Sequence, residues 1–480
     1  MLLLLIVGGI PYFTGRLVEN KFNELTKALA DNPDITLENL SYERHWRKGV
    51  AKTRVTIEGG LLKKLLEELG EELNTSNSAR NLHKPITIVL EHEIRYGPFV
   101  QLQDGNYQDW EFAQAVIYSK LHLTEAAKAV LEKELGQVDF IRLKSEVSIE
   151  GEISIQLDGE PIKTKEDGIE EVVWEGMKGK WYISQNLEKI EGSLLMPGFH
   201  FDVDGAIYHA KNLAFTTQSE HDIDNKIWLT NGQLTAKTLR INQQFVPTVS
   251  LENIKVTAIV NNQIEDNKMM LHSNMDVKVA SIKVEDKVYG PLNYTIKIGN
   301  LSPRAFKAMM LLRNEMGVRA QKNLMKFGQW QNQVGELLSS RPVLSLENLL
   351  LQTDKGHVKG SMRFEIGGQQ AQDLRRLDLV LGSLAAKAHL SIPRAVLREF
   401  LQAYFTVVVQ AEQTNLGIEL DEEALAAEIT QQVEITLAAW KQKNYITLND
   451  QDYIISLSLN GGQLIFNNSN VSLSPLAIRP

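Results

Sequence analysis

The chain contains no cysteine among its 480 residues. This absence excludes structural disulfides, thiolate zinc sites, cysteine nucleophiles and the lipid-modified N-terminal cysteine of a lipoprotein. A chain without cysteine suits an oxidising compartment, where a stray thiol is a liability, although many cytosolic proteins lack cysteine too. The composition therefore favours export without requiring it.

Positive charge is also scarce, since 51 Lys and Arg against 60 Asp and Glu give a formal net charge of -9. A general nucleic-acid binder needs a basic face that neutralises phosphates, so this balance argues against one. Hydrophobic residues make up 43% and charged residues 23%, which is typical of a folded protein. The length exceeds that of one ordinary hydrophobic core, so we expect two or three domains or one very elongated domain.

Long apolar runs are scarce, and the most apolar uncharged segment occupies the first fifteen residues before Arg16. It is shorter than the roughly 20 apolar residues that cross a bilayer as a helix. It could be the apolar segment of a signal peptide, the end of a membrane anchor whose first residues precede Met1, or a buried first strand. We expect a signal or membrane anchor at residues 1–15, with the remaining chain on one side of the membrane.

Strand signals dominate residues 138–300. The segment "DFIRLKSEVSIEGEISIQLDG" alternates apolar with polar residues and ends in a turn dipeptide, Asp158-Gly159. About nine strands follow one another with few helices between them, which favours pairing of consecutive strands through hairpins. The sequence thus predicts an α+β fold, in which amphipathic helices cover the apolar face of a long antiparallel β-meander behind an N-terminal membrane anchor.

Amphipathic helices are predicted on both sides of this meander. Apolar residues at helical spacing occur in residues 17–29, 61–73, 123–136, 302–330, 391–413 and 421–443. Pro303 and Pro393 lie near helix starts, where a missing N–H costs least. The predicted regions are a signal or anchor at 1–15, an N-terminal α+β region at 16–137, the β-meander at 138–300, and C-terminal helices with closing β-hairpins at 301–480.

Four short motifs resemble one known family. They are Thr14-Gly15 between an aromatic residue and a polar helix, the strand start from Tyr42 to Gly49, the triplet Gly97-Pro98-Phe99, and the glycine-rich hairpin at Asn460-Gly461-Gly462. The pattern is similar to the YdgA-like family of bacterial inner-membrane-anchored envelope proteins of unknown function, from Thr14 to near the C-terminus. The resemblance implies a single N-terminal anchor in the bacterial inner membrane and a body in the periplasm, but no activity.

One of these motifs occurs a second time in the sequence in similar form. Tyr96-Gly97-Pro98 ends one alternating strand pattern, and Tyr289-Gly290-Pro291 ends another. Glycine permits a bend and proline removes a ladder donor, so each pair, Gly97-Pro98 and Gly290-Pro291, predicts a strand that bends or lies at an edge. Two independent turns are one interpretation, and a duplicated structural unit is the other.

Familiar catalytic signatures are absent from the sequence, which has no Gly-x-Ser-x-Gly elbow, phosphate loop or dinucleotide fingerprint. "HEIRY" at His92 begins like a zinc-protease helix, but Tyr96 stands where the second histidine is needed and the pattern is that of a strand. His200, Asp202 and Asp204 are the best metal candidates. Same-face strand residues stand roughly 6–7 Å apart, so an ordinary solvent face is the preferred interpretation. We predict no catalytic, metal or cofactor-binding residue.

Positive charge is most concentrated shortly after the apolar segment. The cluster consists of Arg44, Arg47, Lys48, Lys52 and Arg54, with Trp46 inside it. A basic juxtamembrane patch with an aromatic residue is a candidate contact for anionic lipid headgroups or an envelope polyanion. The alternative is a solvated strand face with Trp46 packed beneath it.

Three functions are compatible with these observations. The preferred one is a non-enzymatic, membrane-anchored periplasmic protein that binds a lipid or an envelope protein through an apolar sheet face. The second is an envelope hydrolase with an unrecognised site, and the third is a structural scaffold or homodimer whose edge strands pair. An exposed apolar groove would favour the first, and a pocket of buried carboxylates would favour the second.

Overall fold

The computed structural model describes a set of ranges, on which all that follows depends. They are residues 14–20, 22–23, 35–57, 86–102, 110–122, 140–166, 169–203, 206–222, 224–225, 227–243, 246–265, 268–307, 335, 337–367, 382–416 and 421–471. The chain divides into two compact units, and the division between them falls at Val246 and Pro247.

The first unit is an antiparallel β-sheet. Its strands are β1 (Ile35–Arg44), β2 (Lys48–Ile57), β3 (Ile86–Tyr96), β4 (Phe99–Gln101), β5 (Trp110–Leu121), β6 (Ile141–Ser148), β7 (Ile153–Gly159), β8 (Ile162–Glu166), β9 (Ile169–Trp174), β10 (Met177–Ile183), β11 (Lys189–Val203), β12 (Ala206–Asp222) and β13 (Ile227–Gln243). Neighbours pair in the order β1-β2-β3-β5-β6-β7-β10-β11-β12-β13. Consecutive strands mostly pair, as the alternating segments predict.

The pairing departs from consecutive order in the middle of this sheet. Strand β7 pairs with β10 rather than with β8, so that Ile155 lies opposite Trp181. Strands β8 and β9 form a separate hairpin, and β9 then pairs with β11, where Trp174 lies opposite Phe199. The prediction that each strand pairs with the next one along the chain is therefore wrong here. The β8–β9 hairpin lies between β7 and β10 in sequence, but β7 pairs directly with β10, and β9 pairs with β11.

The second unit is also antiparallel and carries two long helices. Its elements are β14 (Val246–Glu265), β15 (Lys268–Val284), β16 (Lys287–Tyr289), β17 (Leu292–Leu301), β18 (Val343–Thr353), β19 (Gly356–Ile366), β20 (Leu384–Pro393), α1 (Arg394–Leu416), α2 (Glu422–Gln442), β21 (Thr447–Asn449), β22 (Asp452–Asn460), β23 (Gln463–Phe466) and β24 (Ser469–Val471). Strands pair in the order β14-β15-β17-β18-β19-β20-β22-β23-β24, with β16 on β15 and β21 on β22.

Both long helices were predicted, and the structure confirms them. Helix α1 follows Pro393 directly, and α2 is capped by Asp421, whose carboxylate accepts a hydrogen bond from the Ala424 N–H over 2.7 Å. The sequence reasoning did not contain β18, β19 and β20, which lie inside the region assigned to C-terminal helices and closing hairpins. Ser345 and Glu347 alternate with leucines in β18, and this period of two is what makes the segment a strand.

Each unit has a hydrophobic core where helical residues meet the sheet. In the first unit, residues 14–20 and 22–23 are helical and lie on β2, β3 and β5; the buried cluster is Val18, Ala51, Ile94, Tyr96 and Ala115. In the second unit, α1 and α2 pack on β20 and β22; the buried cluster is Leu397, Leu401, Val433, Leu437, Ile446 and Tyr453. The antiparallel β-meander that the sequence predicts is thus confirmed, with helical residues on part of each sheet.

Several predicted segments lie outside the described residues. These are most of the expected signal or anchor at 1–15, of which Thr14 and Gly15 alone are described, the expected helices at 61–73 and 123–136, and most of 302–330. In the described part of the chain, the helices are too short or too polar for any of them to cross a bilayer.

Candidate functional site

The sequence motifs near the N-terminus converge on one buried side chain, Tyr96. A Cβ on Gly15 would lie 3.2 Å from the Tyr96 ring, and a Cβ on Gly49 would lie 2.3 Å from its hydroxyl oxygen. The hydroxyl groups of Tyr42 and Tyr96 are 2.9 Å apart and share a hydrogen bond. Burial raises the pKa of both tyrosines, so both stay neutral. These motif residues therefore build a core, and the two glycines make room for one ring.

The two Gly-Pro motifs have matching backbone hydrogen bonds. The N–H of Gly97 donates to the Gln114 carbonyl over 2.7 Å, and the N–H of Gly290 donates to the Gln352 carbonyl over 2.7 Å. The Pro98 carbonyl accepts from Ala113 and the Pro291 carbonyl from Gln352, each over 3.1 Å. Both Gly-Pro peptide bonds are cis. In each unit the strands before and after the motif pair with the same neighbour, β3 and β4 with β5, and β16 and β17 with β15.

The basic cluster near the N-terminus is divided by the sheet. Three of its cations form ion pairs: Arg44 with Glu19 at 3.2 Å, Lys52 with Glu91 at 2.9 Å, and Arg54 with Glu38 at 2.5 Å. Trp46, Arg47 and Lys48 lie in or beside the turn between β1 and β2 and are exposed. Residues that are adjacent in sequence therefore separate into a paired set on the strands and an exposed set at the turn.

His92 is buried in β3, in the strand that the sequence pattern predicts. Its Nδ1 is 2.7 Å from the Ser119 hydroxyl and its Nε2 is 3.0 Å from the Thr53 hydroxyl. The Phe22 ring meets the imidazole edge-on, with ring centroids 5.5 Å apart. Burial lowers the pKa of His92 to about 4, so the ring is neutral at pH 7. Both nitrogens are occupied by hydroxyl groups, which makes His92 a structural residue.

The best metal candidates from the sequence do not assemble a site in the described residues. His200 lies opposite His209 across the β11–β12 pair, with ring centroids 5.8 Å apart. Burial and then the charge of Lys211 lower the pKa of His209. Asp202 lies on β11, and Asp204 is outside the described residues. In the part of the chain that is described, no three His, Asp or Glu residues are grouped closely enough to hold a metal ion.

One pair of carboxylates has the electrostatics that an acid catalyst uses. Burial and then the charge of Glu111 raise the pKa of Glu146 on β6. Lys144 lies 3.0 Å from Glu111 and forms an ion pair with it. A partly buried ion pair that has only a structural role would also raise the pKa of a neighbouring carboxylate. A hydrolase interpretation would have to use Glu111 and Glu146.

A continuous apolar row crosses the first unit. Successive cross-strand partners from β6 to β13 are Leu143, Leu157, Gly179, Leu194, Phe215 and Leu234. The adjacent row on the opposite face is Lys144, Gln156, Lys180, Ser193, Thr216 and Gln233. Phe215 and Leu234 are 39% and 40% exposed. Six strands thus present one apolar face and one polar face, and the apolar face is open to solvent at β12 and β13.

Glycines flatten this apolar face beneath an aromatic ring. A Cβ on Gly179 would lie 2.4 Å from the Trp181 ring, and a Cβ on Gly192 would lie 2.3 Å from the same ring. The indole therefore lies across both neighbouring glycine positions. A depression of about 270 Å³ nearby is lined by Leu157, Leu194 and Phe215 of the apolar face, but also by residues of the polar face such as Gln156, Lys180 and Ser193. The glycines thus leave a flat apolar floor under the indole, whereas the depression belongs to both faces.

The second unit repeats this division into an apolar and a polar face. One row of cross-strand partners is Ala258, Met275, Ile296, Leu346, Met362, Ala388, Leu457 and Phe466. An adjacent row on the other face is Asn274, Lys297, Ser345, Arg363, Lys387 and Ser458. Helices α1 and α2 pack on the apolar face near Ile392 and Tyr453. Met362 on the same face is 39% exposed, so the described helices leave part of this face open.

A second depression, of about 490 Å³, lies where β19 and β20 meet the start of α1. Its lining includes the cations Lys355, Lys359 and Arg394. Lys355 contacts the Glu399 carboxylate, and Arg394 donates to the Asp450 carbonyl over 2.7 Å. Two of its three named cations already have partners within the chain, so we do not assign a ligand to it.

Sequence reasoning missed the flattened apolar floor. The signal was present as "GMKGKWYIS" and "IEGSLL", in which glycines occupy inward positions of alternating strands. It also missed three exposed aromatic side chains, Phe99, Trp110 and Phe112, on the β4–β5 pair. Apolar residues in an alternating pattern are expected on the buried face, so the sequence alone gives these three the wrong environment.

Comparison with known proteins identifies a family whose function is unknown. The sequence pattern described as "Bacterial protein of unknown function (DUF945)" matches residues 1–474. No curated protein and no solved structure matches the chain. Since the match extends over nearly the whole sequence, the chain belongs to the DUF945 family of bacterial proteins of unknown function.

Proposed function

We propose that this chain is a non-enzymatic protein of the bacterial envelope that binds the acyl chains of a lipid along its apolar sheet face. Its body lies in the periplasm, and residues 1–15 anchor it to the inner membrane. The proposal includes the finer assignment to the YdgA-like envelope proteins, which the Thr14-Gly15, Tyr42-to-Gly49 and Gly97-Pro98-Phe99 motifs resemble. The uncharged first segment and the lack of cysteine support the same location.

The observation that carries the proposal is the apolar row from Leu143 to Leu234. It contains no charged residue, and it ends in two side chains that are each about two-fifths exposed, Phe215 and Leu234. Exposed, contiguous apolar surface is costly in water and marks a site for a lipid, a membrane or another protein. Full burial of one phenylalanine or leucine side chain contributes about 1.5–3 kcal/mol, so a ligand on this row gains substantial free energy.

The dimensions of the row favour a lipid tail over a protein segment. Five inter-strand spacings of about 4.8 Å make the row about 24 Å long. One leaflet of hydrocarbon is about 15 Å thick, so an acyl chain fits along the row in extended form. An extended polypeptide laid on the same floor would need partners for its backbone N–H and C=O groups, which the apolar side chains of Leu157 and Leu194 do not offer.

The test is photo-crosslinking of the full chain in living bacterial cells. The variant Phe215→p-benzoylphenylalanine places the reactive group on the apolar face at a position that is exposed. The matched control, Thr216→p-benzoylphenylalanine, places the same group one residue away on the polar face, since Thr216 lies in the row with Ser193 and Gln233. After irradiation and purification, intact mass spectrometry measures what is attached.

We expect a phospholipid or glycolipid adduct at Phe215 and none at Thr216. A peptide adduct at Phe215 would overturn the lipid assignment in favour of a protein partner. Absence of any adduct at Phe215, in a variant that folds and reaches the envelope, would overturn the apolar face as a binding surface.

A further inference from the structure

Three loops or strand pairs of the first unit meet at one end of its sheet. The Tyr96 N–H donates to the Arg47 carbonyl over 3.0 Å, which holds the β1–β2 turn beside the Gly97-Pro98 motif. Immediately after that motif, β4 pairs with the start of β5, so that Phe99 lies opposite Phe112. The β1–β2 turn, the Gly97-Pro98 motif and the β4–β5 pair are therefore neighbours, and we call this region the aromatic end.

Large aromatic side chains are exposed at the aromatic end. Phe99 is 54% exposed and Phe112 is 62% exposed, and their ring centroids are 5.3 Å apart. Trp110 stands two residues before Phe112, on the same side of β5, and is 46% exposed. Trp46, at the tip of the β1–β2 turn, is 54% exposed. Single exposed apolar residues are common on protein surfaces, but four exposed aromatic residues grouped at one end of a sheet indicate an interaction site.

Charged residues at this end have the pattern of a membrane interface. Arg47 and Lys48 directly follow Trp46 at the exposed turn. Tryptophan is enriched at the level of lipid headgroups, where its ring reaches hydrocarbon and its N–H reaches water, and basic residues beside it meet headgroup phosphates. The nearest carboxylate on the β4–β5 pair, Glu111, is neutralised by Lys144 at 3.0 Å. Two exposed basic residues thus lie beside Trp46, and one exposed carboxylate, Glu43, lies three residues before it.

The chain itself leads from the aromatic end to the apolar segment. The Thr14 hydroxyl lies 3.4 Å from the Gly97 carbonyl, so the first described residue contacts the motif at the centre of this end. The thirteen residues that precede Thr14 include no charged residue. If that segment enters a bilayer, the aromatic end lies where the chain leaves the bilayer, because Thr14 contacts Gly97.

We propose that the aromatic end rests on the headgroup layer of the bilayer, with Trp46, Phe99, Trp110 and Phe112 inserted at its surface. This assignment rests on the proposed membrane anchor and extends it, because it fixes which end of the first unit faces the membrane. It also replaces the basic cluster as the contact surface. Arg44, Lys52 and Arg54 are ion-paired with carboxylates of the chain, whereas Arg47 and Lys48 lie at the aromatic end.

The cysteine-free sequence provides a direct test with the full chain. Single variants Phe112→Cys and Trp46→Cys are labelled with an environment-sensitive fluorophore and reconstituted into vesicles of phosphatidylethanolamine and phosphatidylglycerol. Leu195→Cys is the matched control, because it replaces an apolar residue that is 48% exposed in the same unit, in the middle of β11 and away from the aromatic end. Ile6→Cys reports independently on the anchor. Quenching by lipids with nitroxide groups near the headgroup measures the distance of each label from the bilayer.

We expect a blue shift and strong quenching for the labels at Phe112 and Trp46, and neither for the label at Leu195. Quenching at Ile6 without quenching at Phe112 and Trp46 would overturn the aromatic-end contact and leave the anchor intact. Absence of quenching at Ile6, Phe112 and Trp46 would overturn both. The two reporter positions lie on different strand pairs, so misfolding caused by one substitution would not produce the same result at the other.

Discussion

Gly97-Pro98 in the first unit and Gly290-Pro291 in the second share their backbone hydrogen bonds but differ in what covers them. In both, the glycine N–H donates to a glutamine carbonyl over 2.7 Å and the proline carbonyl accepts over 3.1 Å. Tyr96 before the first motif is 2% exposed under the helical residues 14–20 and 22–23, whereas Tyr289 before the second is only partly buried. A backbone path can therefore recur while the packing around it is supplied by different elements.

This comparison bears on the interpretation of the repeated triplet as a duplicated unit. Matching hydrogen bonds are what a duplication predicts, yet the strands that lead into the motifs differ in length. Strand β3 has 11 residues before Gly97, and β16 has 3 before Gly290. Duplication stays a prediction, and the energetic difference between the two tyrosines is the property that experiments can separate first.

The largest expected effect is the loss of the Tyr96 ring. Tyr96→Ala removes the side chain that fills the space left by Gly15 and Gly49 and ends its hydrogen bond with Tyr42, so we expect a loss of about 3–5 kcal/mol in unfolding free energy. Tyr289→Ala is the matched variant, with an expected loss below about 2 kcal/mol because its ring is partly exposed. Urea unfolding, followed by near-ultraviolet circular dichroism, measures both. Equal losses would show that the two motifs have equivalent packing.

The strands of this protein were predictable because alternation is local, but the partners of Tyr96 were not. Gly49 and Tyr96 are distant in sequence, and only the pairing of β2 with β3 brings them together. In the same way, β8 and β9 alternate like their neighbours, so nothing local indicates that β7 pairs with β10. Local pattern specifies strand faces, whereas strand order depends on contacts between distant segments.

The candidate surface was predictable in kind and not in detail. An apolar sheet face follows from alternation, but its openness at Phe215 depends on where the helices lie, and sequence spacing does not give that. The residues of the basic cluster do not share one surface, for a simple geometric reason, and their contact with headgroups stays a prediction. Adjacent strand residues point to opposite faces, so Arg44 reaches a helix carboxylate while Lys52 pairs with Glu91 across β2 and β3.

The packing under the helical residues of the first unit should also make its stability depend on pH, because it includes a buried histidine, His92, against Phe22. The pKa of His92 is lowered from 6.5 to about 4 in the folded state. The unfolded chain therefore binds the proton first as pH falls, and the stabilisation by His92 is complete above about pH 6.5 and lost progressively toward pH 4. We expect a loss of roughly 3 kcal/mol over this window, measured by urea unfolding at a series of pH values.

The control for this pH effect is His92→Gln, which keeps hydrogen-bonding groups near Ser119 and Thr53 but does not titrate. Its unfolding free energy should fall less steeply between pH 6.5 and 4 than that of the natural chain. An unchanged slope would mean that carboxylates, and not His92, cause the acid sensitivity. The comparison of slopes is informative even if the variant is less stable at neutral pH.

The smallest expected difference concerns the glycines of the two motifs, which share a hydrogen-bond pattern although only Gly290 of the two has a positive φ. A Cβ on Gly97 would lie 1.6 Å from the Ala113 carbonyl oxygen, and Gly290 has a φ of +124° with a Cβ position 2.8 Å from the Ala280 carbonyl oxygen. We expect Gly97→Ala and Gly290→Ala each to cost about 1–3 kcal/mol, because backbone atoms must move. Gly232→Ala, whose Cβ would lie 3.7 Å from the Thr216 carbonyl oxygen, should change stability by less than about 0.5 kcal/mol. Urea unfolding of the three variants separates a shared backbone requirement from a difference in side-chain packing. A cost at Gly97 without one at Gly290 would mean that the two motifs share a sequence and a hydrogen-bond pattern but not a need for glycine.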